Sequence, residues 1–294
     1  MDGVEVERDR KTGGLREQLG AALFARVAGP DGPAVRQRVH GTPGPRWFAP
    51  DRAIRLVHGD ASMFVGGLAA LLVQSLHPSA MAAVAAHSGY RSDPWGRLQR
   101  TSTFLAFTTF GTAEDARAAV ARVRAVHARI RGTTAAGRPY RADDPHLLAW
   151  VHAVETDSFL RAHQAYGAAR LDPAGCDAYV ADMAEVAAAL GVEGPPRSRA
   201  ELAAVLRSYR PELAMTAEAR DAARFLLLRP PVPWAVRPAY GALAAAAVGL
   251  PAPEHRALLG LPVTPFAAAA VRPLGLAVVG AIRWAMPAAP VERR

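Results

Sequence analysis

The sequence predicts an all-α fold built as a single large multi-helix domain. Alanine, leucine and arginine, all good helix formers, recur along the whole chain. No run of alternating apolar and polar residues bounded by turn residues makes a convincing strand. The helical segments also follow one another without a long polar linker, which favours one domain over two. With 294 residues at 51% hydrophobic content, the chain can bury a sizeable core.

Taken in order, residues 1–45 mix charge with Gly29, Pro30, Gly32, Pro33, Gly41 and Pro43, which predicts a poorly structured extension carrying one short helix over 15–27. The core domain is expected over 46–265, with 266–294 a C-terminal helix or tail packed on it. From 50 to 89 small and apolar residues recur at helical spacing, and no acid lies between Asp60 and Asp93, so this segment must be buried. A helix over 93–110 has Ser92 as candidate N-cap, Pro94 in its first turn and Gly111 just past its end. Arg97, Thr101, Phe104 and Thr108 then share one face. The next helix opens at Thr112 with Asp115 three residues on, close to a capping box, and is expected to stop at Gly132. Its inward face carries Val120, Val123, His127 and Ile130. Asp144 and Pro145 open a third helix running to about Tyr166, with Leu148, Val151, Glu155 and Phe159 on one face and His152 beside them. Further helices are predicted over 173–190, 200–208, 216–228, 234–249 and 253–259.

Composition excludes several classes of function. Cys176 stands alone, so there is no internal disulfide framework and no multi-cysteine metal or iron–sulfur site. The net charge of +9 is almost all arginine, since Lys11 is the only lysine, and it is scattered rather than blocked. Without a helix-turn-helix, zinc or RNA-binding signature, that charge does not predict a nucleic-acid partner. The charged start of the chain has no apolar stretch of the kind a secretory signal needs, so a cytoplasmic location is expected. The apolar stretches 61–86 and 262–289 are both interrupted. The first reads as a buried core helix and the second as a candidate for peripheral membrane contact. Nothing in the sequence sets the oligomeric state.

Three histidines, His77, His127 and His152, lie in strongly apolar surroundings. Taken singly, each is better explained by a buried neutral ring bonded to a backbone carbonyl than by metal ligation. No His-Glu-x-x-His, no Glu-x-x-His and no Cys-x-x-Cys-His is present, which leaves non-covalent haem or no metal at all. A haem needs a proximal imidazole, an apolar slot, cations for its propionates and a polar group on the distal side. His127, the segment 61–86, Arg97, Arg100 and Thr101 offer these. Composition alone does not join them, since alanine-rich faces also serve close helix packing and an arginine at a helix edge can simply snorkel.

The run LVQSLHPSAMAAVAAHSGYRSDPWGRLQRTSTFLAFTTFG over 72–111, the VHARIRG of 126–132, the PYRA of 139–142 and the WVHA of 150–153 resemble the MpaB-type oxygenase and latex-clearing-protein family. Later pieces at 190–192, 229–231 and 259–262 carry the resemblance from about residue 50 to 265. It implies a helical fold with a buried pocket for non-covalent haem b. His127 would be the axial iron ligand, with Arg97 and Thr101 near the haem and His77, His152 and Arg100 as further cofactor contacts. The implied activity is oxygenase-like, joining O2 to an apolar, unsaturated small molecule.

Two departures stand out. Rubber-cleaving members have a lysine before the threonine that can cap the iron, whereas this chain has Arg100, which stays protonated and lacks a free lone pair. They also carry a glutamate upstream of the arginine–threonine pair, where this chain has no acid, and Glu155 is the nominated substitute. The alternatives are a non-catalytic haem or hydrophobic-ligand binding protein and a haem-dependent dehydrogenase or peroxidase.

Overall fold

The computed structural model describes residues 2–261 and 264–286, with side chains described for 14–261, 264 and 269–286. Apart from one two-stranded hairpin, all of its regular structure there is helical. The N-terminal segment differs from expectation. Helix α1 spans Asp2–Ala28 and α2 spans Gly32–Gly41, instead of a single helix over 15–27. Gly29 takes a φ of +77°, which ends α1, and Pro33 sits in the first turn of α2, where its missing N–H leaves nothing unsatisfied. The glycines and prolines that suggested disorder therefore separate two helices.

The apolar segment folds as α3 (Ala53–His58), α4 (Met63–Gln74) and α5 (Pro78–His87). Between α4 and α5 the chain bends by 110°, with His77 as N-cap and Pro78 opening the new helix. No single helix among the described residues is long and apolar enough to cross a membrane.

Helix α6 spans Pro94–Phe110 and is capped by Asp93, whose carboxylate accepts from the Gly96 N–H at 2.8 Å, one residue later than the expected Ser92. Helix α7 spans Ala113–His127. As predicted, Thr112 caps it, with its hydroxyl accepting from Asp115 N at 3.1 Å and donating to the Asp115 carboxylate at 3.0 Å. Arg38 of α2 also donates to that carboxylate, at 2.6 and 2.9 Å. The helix stops at His127 rather than at Gly132, because 131–133 and 139–141 pair as an antiparallel hairpin. These strands, β1 (Arg131–Thr133) and β2 (Pro139–Arg141), are only three residues each, too short for period-two alternation to be legible.

The remainder follows the predicted order: α8 (Pro145–Tyr166), α9 (Pro173–Leu190), α10 (Arg199–Ser208), α11 (Ala217–Leu228), α12 (Arg237–Gly249), α13 (Pro253–Leu258) and α14 (Pro265–Ala285). Short 3-10 turns occupy Arg210–Glu212 and Trp234–Val236. Of the expected interfacial stretch 262–289, α14 covers the part that is described, while 262, 263 and 287–289 lie outside the described residues. Leu274 and Leu276 are exposed on it and Val279 is fully buried.

Helix α8 is the axis of this single all-α domain, and α4 lies closest to it. A Cβ added at Gly66 of α4 would stand 2.9 Å from Phe159 Cδ1 and 3.1 Å from the Ala162 Cβ, so glycine is what lets these backbones approach. Trp150, Tyr179, Leu72, Leu76, Ile54 and Val154 fill the main core around this contact. Asp182 of α9, at 0% exposure, accepts from the N–H of Ile54 at 3.1 Å and from Arg52, which fixes the start of α3. Arg283 of α14 holds Asp60 through bonds of 2.9 to 3.1 Å and also donates to the Tyr166 carbonyl at 2.9 Å.

Candidate active site

Helices α6, α7, α8 and α9 enclose a narrow cavity beside the main core. Phe104, Leu105 and Thr108 of α6 form one wall, and Leu148, Val151, His152 and Glu155 of α8 form another. Met183, Val186, Ala187 and Leu190 of α9 close it with Val192, while His127 enters from the end of α7 and His58 from the end of α3. The α8 residues fall at 148, 151, 152 and 155, the spacing of one helical face, and so aim into the same space.

His127 is half-buried, and its ring makes no hydrogen bond among the described residues. Burial lowers its pKa, against a weaker pull upward from Asp143, so the neutral ring with a free lone pair is favoured. His152 is buried and its pKa falls to about 4 through desolvation. Its Nδ1 meets Thr156 Oγ1 at 3.5 Å, while its Nε2 has no partner. Glu155 is pushed up to about 7 by burial, because the apolar walls penalise the carboxylate and no cation among the described residues is set against it. His58 falls to about 3 for the same reason and is held by Thr109 Oγ1 at 2.8 Å and Tyr179 Oη at 3.3 Å.

The site therefore combines a weakly basic imidazole facing open space, a buried imidazole nitrogen without a partner and a carboxyl poised to exchange a proton near neutrality. A buried polar atom left unsatisfied is costly, so this combination reads as a binding or reacting surface rather than core filler.

The structure brings His127, His152 and Glu155 together, and it adds His58 and Thr108, which sequence reasoning did not nominate. Thr108 was legible as the last member of the α6 stripe. His58 lies at helical spacing from Ile54, but nothing local to it marks the ring as facing α6 and α9.

The other nominated residues stand apart from the cavity wall. Arg97 and Thr101 lie on the cavity-facing stripe of α6, about two turns before Phe104 and Thr108 respectively. The guanidinium of Arg97 is half-buried with no carboxylate partner among the described residues, and burial lowers its pKa. Thr101 is exposed and donates to the Arg97 carbonyl at 3.1 Å. Arg100 is exposed and pairs with Asp93 at 3.1 Å. His77 lies on the opposite side of α8, beside Trp150, His146 and Glu212.

A family profile described as the catalytic domain of the ER-bound oxygenase mpaB/B' and of rubber oxygenase matches residues 55–284. The chain belongs to the MpaB and rubber-oxygenase family. The match covers all four helices around the cavity, from α6 to α9, and continues through α14. No curated protein and no solved structure matches the chain. Membership places an oxygenase-family catalytic domain over most of this sequence, and the cavity of α6 to α9 is the strongest candidate for its reacting centre.

Proposed function

We propose that this protein is a haem-b-dependent oxygenase that acts with O2 on an apolar, unsaturated small molecule, with His127 as the axial ligand. The observation that carries the reading is the setting of His127: on the wall of an apolar cavity shared with Glu155, with its pKa lowered by burial and its ring without a hydrogen bond among the described residues. The donor set suits a porphyrin. An imidazole is available to iron, apolar side chains of α6, α8 and α9 offer faces to a flat ring, and Arg97 is a half-buried cation without a counter-ion among the described residues, as a propionate requires.

The cavity holds only about 80 Å3 of open space. Small-molecule sites usually offer about 300–1,000 Å3. Binding therefore requires the walls to part. Helix α6 is suited to this movement, since Thr108 and Thr109 are its only buried residues.

When bound, haem supplies the redox chemistry with O2. The chain's own residues then act around it. Arg97 supplies hydrogen bonds and positive charge at the open end of the α6 stripe, and Thr101, whose hydroxyl donates to the Arg97 carbonyl, presents its oxygen there as an acceptor. Glu155, with its carboxyl near the neutral point, holds or releases a proton inside the cavity, and His152 offers its unpartnered Nε2 as relay or anchor. Phe104, Leu105 and Met183 exclude water and favour an apolar substrate. Reconstitution with haemin, followed by oxygen-uptake assays with unsaturated lipids, tests the reading. Turnover supports it, saturable binding without oxygen consumption favours the non-catalytic alternative, and failure to take up haemin ends it.

A further inference from the structure

A second cluster of ligand-type side chains lies on the far side of α8. His146 and Trp150 occupy the face opposite the one that carries Val151 and Glu155. His146 sits in the first turn of α8, His77 is the N-cap of α5, and Glu212 closes the Arg210–Glu212 turn. His77 Nε2 is 3.3 Å from Glu212 Oε2, and His146 Nε2 is 2.9 and 3.0 Å from the two Glu212 oxygens. One ligand atom from each of the three residues falls within 4.8 Å of the other two. Ligands about 2.0–2.2 Å from a tetrahedral zinc-sized ion stand roughly 3.3–3.6 Å from one another, close to the separations of Glu212 from the two rings.

The hydrogen bonds around His146 point the same way. Tyr209 Oη donates to the His146 carbonyl at 2.6 Å, so its oxygen is left to accept from His146 Nδ1 at 3.3 Å. With the proton on Nδ1, the neutral ring turns the Nε2 lone pair toward a carboxylate. Two lone pairs facing each other at that distance repel unless a cation or a proton lies between them. A ligating histidine that donates its other N–H to an oxygen is the usual supporting arrangement of a metal site. At His77 the arrangement is opposed by one contact. Nδ1 accepts from Ala80 N at 3.4 Å, which holds a proton on Nε2, and an ion taking that position gives up this long cap bond.

We propose that His77, His146 and Glu212 form a divalent transition-metal site separate from the cavity. Two imidazoles and one carboxylate suit zinc, and also iron(II). His77 is 3% exposed, Glu212 31% and His146 54%, so the remaining coordination positions face solvent. The ion ties together the starts of α5 and α8 and the turn between α10 and α11. Its existence does not depend on the haem reading.

The test is calorimetric titration of the chelator-dialysed full chain with zinc sulfate and, anaerobically, with ferrous iron. One ion per chain is expected for at least one of the two metals. His146→Ala and Glu212→Gln change partly exposed side chains and should keep the wild-type helicity while weakening binding about 100-fold or more. Tyr209→Phe should weaken it about tenfold at unchanged stoichiometry. No saturable uptake of either ion, or uptake equal to wild type in both ligand variants, overturns the proposal.

Discussion

His127 at the end of α7 and Glu155 in the middle of α8 line the same cavity, 28 positions apart in sequence. Burial lowers the pKa of the ring and raises that of the carboxyl to about 7, so both groups are shifted toward their neutral forms. The pair gives the cavity a nitrogen donor and a proton source within apolar walls.

Glu155 makes native stability depend on pH in a specific direction. Its folded pKa, about 7, lies above its ordinary value of 4.5, so its contribution is fully present below pH 4.5 and is lost as pH rises through 7. Glu155→Gln should match wild type at pH 4 and exceed it in Tm at pH 8. Thermal unfolding of both proteins across this range checks the sign, and parallel curves would refute it.

Arg97→Met should separate stability from cofactor affinity. A half-buried guanidinium without a carboxylate partner among the described residues costs the haem-free protein free energy, so its removal should raise the Tm of that form. The same substitution removes the cation proposed for a propionate and should weaken haemin binding about tenfold. Haemin titration and calorimetry on one preparation read both effects.

Asp182→Ala should destabilise the fold by about 2–3 kcal/mol, because the buried Ile54 N–H loses its acceptor. Arg52, at 49% exposure, regains water and limits the loss. Denaturant titration measures the change.

Gly66→Ala should also destabilise, by about 1–3 kcal/mol, even though alanine favours helix, since the new methyl meets Phe159 and Ala162 at distances that force α4 and α8 apart. Chemical unfolding of this variant gives the value directly.

The helices were largely legible because their ends carry local chemistry. Asp144, Asp172, Ser198 and Thr216 each cap a helix through a side-chain bond to a nearby backbone N–H, and such pairs can be read from adjacent residues. The cavity members on α8 were legible for a similar reason, as one face of a single helix. His58 and the cluster of His77, His146 and Glu212 were not. Their partners come from distant elements, as with the 135 positions between His77 and Glu212, and no periodicity encodes such a meeting. The short hairpin after α7 escaped because its pairing is set by a reversal of the chain rather than by alternation of side chains.

The most direct test of the central claim is the absorption spectrum of His127→Gly beside that of wild type, each reconstituted with haemin and then supplied with free imidazole. Wild type should show a Soret band with roughly one haem per chain. The variant should lose the band and recover it when imidazole fills the space left by the side chain. A variant that keeps the wild-type spectrum and haem content without imidazole would contradict the assignment of His127 as the iron ligand.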